Sequence, residues 1–213
     1  MEQKKFWSRF LLLLVPFLVC IIWVTEIKRD FLPYTDQQTR FLVDQVKGTG
    51  LYDFFRFVTN FGSTFFILPL VICMGILLVL MYRDYLQAVV FVGGVLFTSL
   101  INTVVKIAVA RQRPSINIGA NAEGYSFPSG HSAVAIVCYG LLTYFLMKKV
   151  ASITVRRVVF GTSILLVLLI GISRYFINVH YLTDILTGFF LGGMVFVASK
   201  RLYEKSQIRR SRS

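Results

Sequence analysis

The stretch TFFILPLVICMGILLVLMY, residues 64–82, contains no charged side chain. A helix of about 20 apolar residues matches the hydrocarbon thickness of a bilayer, and several such runs in one short chain leave little polar surface to keep it in water. Six runs of this kind are present, from Phe10 to Thr25, Thr64 to Tyr82, Tyr85 to Ala110, His131 to Met147, Val158 to Ile172 and Tyr181 to Ala198. Within lipid only helices and closed barrels satisfy every backbone polar group, and the alternation of barrel strands is absent. The expectation is an all-α bundle of six transmembrane helices. The fifth run is short, and Val155 and Ser173 on its flanks could extend it. Apolar residues make up 56% of the 213, above the share of a soluble globule.

The opening MEQKKFWSRFLLLLVPFLVCIIWV has the basic start and apolar run of a signal peptide. The run is long for that purpose and leads into TEIKRD rather than a small-residue cleavage site, so it reads as an uncleaved first span. Lys and Arg near span ends are retained in the cytoplasm. One side of the six-span layout carries fourteen of them and the other nine, so both termini are predicted cytoplasmic. A net charge of +13 raises the question of nucleic acid. Here the excess is spread over short connections and a basic tail from about residue 200 to 213, which points to anionic membrane lipid and not to nucleic acid. Cys20, Cys73 and Cys138 fall inside the runs without paired or metal-type spacing and read as packing residues. The whole chain, 1–213, reads as a single domain.

The first loop, about 26–63, is too polar to span. In LYDFFRFVTNF, Leu51, Phe54, Phe55, Val58 and Phe61 share a helical face, which predicts an amphipathic helix at the extracytoplasmic surface. Packing against the outer end of the bundle accounts for the same pattern.

Three polar segments fall on that same face. The third-to-fourth connection opens with Lys106 and KIAVARQRP, giving Lys106, Arg113 and Pro114 in a K-x6-R-P arrangement, and closes with PSGH. The fifth-to-sixth connection supplies Ser173, Arg174, His180 and Asp184 in SRYFINVHYLTD. Pro128, Ser129 and Gly130 precede a helix, whose unpaired amides and positive dipole end favour an anion. Gly130 permits close backbone approach. Lys106, Arg113 and Arg174 add cations, against Glu123 and Asp184 as the only acids in the two connections. His180 and Asp184, four apart, share a helix face, so the carboxylate can hold one ring nitrogen protonated and leave the other free to attack phosphorus. His131 is then placed to protonate the leaving oxygen and activate water. Cations can neutralise the equatorial oxygens, too few carboxylates cluster for magnesium, and two histidines with one distant aspartate form no standard zinc spacing, so neither metal nor cofactor is expected. A non-catalytic head-group binder or transporter would use the same cations without needing the histidine–carboxylate pair.

These segments together resemble the signature of the type 2 phosphatidic acid phosphatase superfamily, over Lys106 to Asp184. The resemblance implies a helical membrane lipid phosphatase with an extracytoplasmic site in the plasma membrane and a phospholipid phosphate substrate drawn from the bilayer. It implies His180 as nucleophile, Asp184 as its orienting partner and His131 as general acid and base, with Lys106, Arg113, Ser129, Gly130 and Arg174 on the phosphate. Many members carry proline soon after the nucleophilic histidine, where this chain has Leu182. Phosphatidylglycerophosphate is the expected substrate, with undecaprenyl pyrophosphate the alternative and phosphatidic acid a minor one. The oligomeric state is left open.

Overall fold

A computed structural model describes residues 2–114 and 124–211, with backbone alone for residues 2–10 and 12. The described chain is all-helical. Its elements are α1 (Glu2–Lys28), α2 (Tyr34–Thr39), α3 (Phe41–Val46), α4 (Gly50–Val58), a 3-10 turn (Thr59–Gly62), α5 (Thr64–Tyr82), α6 (Leu86–Val109), α7 (Gly130–Met147), α8 (Ile153–Phe176) and α9 (Leu182–Arg210). Glu123 and Asn121 lie outside the described residues.

Among the described residues, five helices, α5 to α9, are long and apolar enough to cross a membrane, which makes this a multi-pass membrane protein. The run from Phe10 to Thr25 falls within α1. Local chemistry sets several boundaries. Ser129 and Ser152 accept from the amides of Ser132 and Val155 and so cap α7 and α8. Arg83 and Ala110, at φ 51° and 57°, turn the chain left-handed and end α5 and α6.

The fifth run is not short in the folded chain. α8 covers 24 residues because Arg156 and Arg157 occupy its first turns and Arg174 its last. Apolarity marks only the middle of such a helix. Likewise α9 does not stop near Ala198; its 29 residues run on to Arg210, through most of the basic tail.

α7 sits at the centre and packs against α6, α8 and α9. Phe91, Leu78, Val137, Leu141 and Phe145 form the core at one end. The contact of α7 with α9 depends on two glycines one turn apart: a Cβ at Gly188 would lie 2.5 Å from the Ser129 carbonyl oxygen, and one at Gly192 only 2.4 Å from that of Ala133. Small residues at this spacing let helix backbones approach closely in membranes. Outward-facing Leu80, Leu100 and Ile107 are exposed, as lipid contact requires. Cys138 is buried, but Cys73 belongs to that outward surface and is not a packing residue.

The first loop folds into three short helices and the 3-10 turn, where the sequence pattern suggests only one helix. α2 packs on α9, and α3 and α4 on α8. Within α4, Phe55 and Val58 are buried while Leu51 and Phe54 are exposed, and Phe55 stacks on Phe176 at 4.7 Å between ring centroids. The loop therefore covers the end of the bundle at which the polar segments meet.

Candidate active site

Three chain segments converge beside the start of α9. The turn before α9 carries His180, buried to 2% exposure, and Asp184 in the first turn of α9 is fully buried. The Asp184 carboxylate accepts from the Tyr181 amide at 2.9 Å, so the residue caps its own helix. Its same oxygen, Oδ2, stands 3.3 Å from His180 Nδ1. On the other ring nitrogen, Arg113 Nη1 approaches Nε2 at 3.2 Å. An arginine can only donate and a carboxylate only accept, so these two side chains favour the tautomer with the proton on Nδ1 and the Nε2 lone pair toward Arg113.

Burial, then the cations Arg174, Arg113 and Lys106, hold His180 well below the ordinary histidine value of 6.5. The ring is neutral at pH 7. Burial also lowers Arg113, with the charge of Asp184 acting in the opposite direction.

The remaining cations surround this pair. Arg113 is held by the carbonyls of Gly124 (3.0 Å) and Val179 (2.8 Å) and, more loosely, by that of Tyr125 (3.3 Å). Lys106, in the last turn of α6, donates to the same Tyr125 carbonyl. Arg174 donates to Thr59 Oγ1 at 3.1 Å from the last turn of α8, while its Nε is buried with no partner among the described residues. Its backbone carbonyl accepts from the His180 amide at 3.2 Å, which ties the cation to the histidine through the main chain.

The PSGH turn is locked from both sides. Asn102 donates to the Pro128 carbonyl at 3.4 Å, and the Ser129 amide donates to the Asp184 carbonyl at 2.9 Å. A Cβ at Gly130 would stand 3.1 Å from Asn102 Oδ1. The Ser129 hydroxyl is 3.0 Å from that of Ser132, so its side chain serves the helix cap. With the Ser132 and Ala133 amides bonded to Ser129, those of Gly130 and His131 are the ones that helix geometry leaves open at the head of α7.

His131 stands where two cavities meet. One, of about 370 Å³, is lined by Arg174 and by Thr59, Asn60, Ser63 and Arg56 of the first loop. The other, of about 310 Å³, runs between α5, α6 and α7 along Ile67, Val71, Val95 and Leu96, and ends at Gly130 and His131. Among the described residues no three His, Cys, Asp or Glu side chains are grouped to hold a metal ion.

Sequence reasoning missed a second layer. Arg111, two residues before Arg113, donates to Asp184 Oδ1 at 2.6 Å and to Asp36 of α2 at 2.7 Å, and its guanidinium lies 3.8 Å from the centre of the Tyr181 ring. One signal was available, a second arginine in ARQRP two residues before Arg113. The two reach a single pair, Arg111 the carboxylate and Arg113 the imidazole. Asp36 gave no such signal, being one of five acids in a polar loop.

The fold and the similarity to known proteins together define the class, a membrane phosphatase for lipid phosphates. The chain belongs to the PAP2 superfamily, whose family model matches residues 87–208. It is 32% identical over 149 residues to phosphatidylglycerophosphatase B of Bacillus subtilis (strain 168), covering 70% of this chain and 73% of that protein. The dolichyldiphosphatase of Saccharomyces cerevisiae is 25% identical over 68% of this chain and 63% of its own length. A crystal structure of a transmembrane PAP2-type phosphatidylglycerolphosphate phosphatase from Bacillus subtilis superposes with a TM-score of 0.76 at 25% identity, covering 88% of this chain and 96% of that one. That of Aquifex aeolicus LpxE shares the fold, with a TM-score of 0.60 at 20% identity over 80% of this chain and 96% of that one.

Proposed function

We propose that this protein hydrolyses phosphatidylglycerophosphate to phosphatidylglycerol and phosphate through a phosphohistidine on His180. The observation that carries the reading is the pinning of His180, with Asp184 on Nδ1 and a lone pair on Nε2 held among three cations. Nε2 attacks phosphorus in line, the ester P–O bond breaks, and His131 gives the departing oxygen its proton. Arg113 turns from Nε2 to the phosphate as substrate arrives. Lys106, Arg113, Arg174 and the open amides of Gly130 and His131 spread the charge of the equatorial oxygens, with Ser129 holding the turn that presents them. Water then attacks the N–P bond, His131 takes its proton, and phosphate leaves with His180 neutral again. No step needs a metal or cofactor.

The two cavities suit a substrate with one end in lipid. The apolar groove between α5, α6 and α7 would take acyl chains, and the hydroxyl- and amide-lined pocket under the first loop would take the head group. In this reading α1 supplies a sixth span, both termini are cytoplasmic, and the site with the amphipathic α4 faces outward from the plasma membrane. A cysteine introduced at Asn121 should then react with an impermeant thiol reagent applied to intact cells, and labelling only after lysis would invert the orientation.

A second substrate, undecaprenyl pyrophosphate, is favoured by the similarity to dolichyldiphosphatases, enzymes named for a lipid diphosphate. The deciding experiment is phosphate release by purified protein in detergent from phosphatidylglycerophosphate, undecaprenyl pyrophosphate and phosphatidic acid, beside His180→Ala. Preference for the first lipid, abolished in the variant, is the expected result. Preference for the second keeps the mechanism and changes the substrate. Turnover of none leaves a head-group binder or transporter.

A further inference from the structure

Asp36, Arg111 and Asp184 form a line of buried charge that ends on His180. Their exposures are 1%, 7% and 0%. Arg111 uses Nη1 for Asp184 Oδ1 (2.6 Å) and Thr183 Oγ1 (2.9 Å), and Nη2 for Asp36 Oδ2 (2.7 Å). Asp36 also accepts from the Thr183 amide (3.0 Å) and hydroxyl (2.7 Å). Both carboxylates and both Nη groups are thus bonded, and the guanidinium is backed by the Tyr181 ring.

Such an arrangement is poorly explained as mere glue. Desolvating two carboxylates and a guanidinium costs as much as their attraction returns, and apolar side chains of the same volume would hold α2, α9 and the α6–α7 connection together as well. What apolar side chains could not do is orient Asp184. That carboxylate has one oxygen for Arg111 and the other for His180 Nδ1 and the Tyr181 amide, so its plane is set by Arg111 from behind. Arg111 in turn has a long, rotatable stem, and Asp36 fixes its free end. With both Nη groups on carboxylates, Arg111 is disposed for holding the dyad rather than the phosphate, in contrast to Arg113.

We infer that Asp36 of the first loop and Arg111 are positioning residues for the Asp184–His180 dyad, so that α2 is part of the catalytic apparatus without touching substrate. The inference rests on His180 and Asp184 acting as proposed above. It makes the first loop a clamp on the first turn of α9: Asp36 bonds Thr183 twice and Arg111 once, and each of those partners adjoins or touches Asp184.

The test is steady-state turnover of whichever of the three lipids the wild type cleaves, with Asp36→Asn, Arg111→Lys and the double variant, and with melting temperatures in detergent measured alongside. Each single variant should lose roughly tenfold or more in kcat with KM unchanged, because the phosphate contacts remain in place. The double variant should lose no more than the worse single one, since residues serving one acceptor do not add. Asp36→Glu, which keeps the charge and can reach the fork, should recover part of the rate. A rise in KM alone, wild-type kcat in a folded Asp36→Asn protein, or multiplied losses in the double variant would overturn the inference. Should Asp36→Asn yield no folded protein, Arg111→Lys against wild type carries the same kcat and KM comparison by itself. The control separates levels: if His180→Ala still turns over, the dyad reading fails whatever Asp36 does.

Discussion

At the scale of single residues, the site depends on a histidine kept neutral in a cationic pocket. Because burial and three cations depress His180 below 6.5, the neutral ring that the proposed attack requires persists as pH falls through that value. The acid limb of kcat/KM belonging to this group should therefore lie below 6.5 and move up toward it in Arg113→Gln, which removes one of the cations. A limb already at 6.5 in the wild type would contradict the environment described. The same shift has a stability counterpart. The unfolded chain takes up a proton at about 6.5 while the native ring does not, so this histidine costs stability that builds as pH falls from 6.5 to its lower native value and stays in full below it, with nothing lost above. Melting temperature followed downward from pH 7 should fall less steeply for His180→Ala over this window.

Among the elements, α7 and α9 illustrate what was legible and what was not. The apolar runs located α5, α6 and α7 to within a residue or so, because uninterrupted hydrophobicity is set by the bilayer. Charged first and last turns hid the true ends of α8 and α9, which extend into water where apolarity stops being required. α2 and α3, only six residues each, escaped notice because so short a helix shows no full apolar period and is held by contact with α9 and α8. His180, Asp184, Lys106, Arg113 and Arg174 could be picked out since spacing within a segment is visible in a sequence. Asp36 could not, since its role exists only across a separation of 147 residues to Thr183. The glycine contact between α7 and α9 yields a paired prediction. Gly192→Ala should lower the melting temperature, at a cost of about 1–3 kcal/mol from overpacking against the Ala133 carbonyl. Gly193→Ala, one position on with open space at its Cβ, should leave stability unchanged or raise it by about 0.5–1 kcal/mol through helix propensity. Equal effects at both positions would mean that the two helices are not in close backbone contact.

For the molecule as a whole, the proposed catalysis by two histidines, three cations and backbone amides predicts indifference to chelation. EDTA should leave phosphate release intact, and loss of activity restored by Mg²⁺ would contradict the proposed mechanism. Vanadate, which adopts the five-coordinate geometry of the transition state, should inhibit. The two cavities that meet at His131 give the reaction a spatial character as well. The scissile bond would lie at their junction, so the apolar fragment is already in register with the bilayer when it is released and the phosphate is already in the polar pocket. Cutting the molecule and directing its two products would then be a single event: phosphate departs toward water through the polar pocket, and the lipid is drawn back by its acyl chains along the groove into the bilayer.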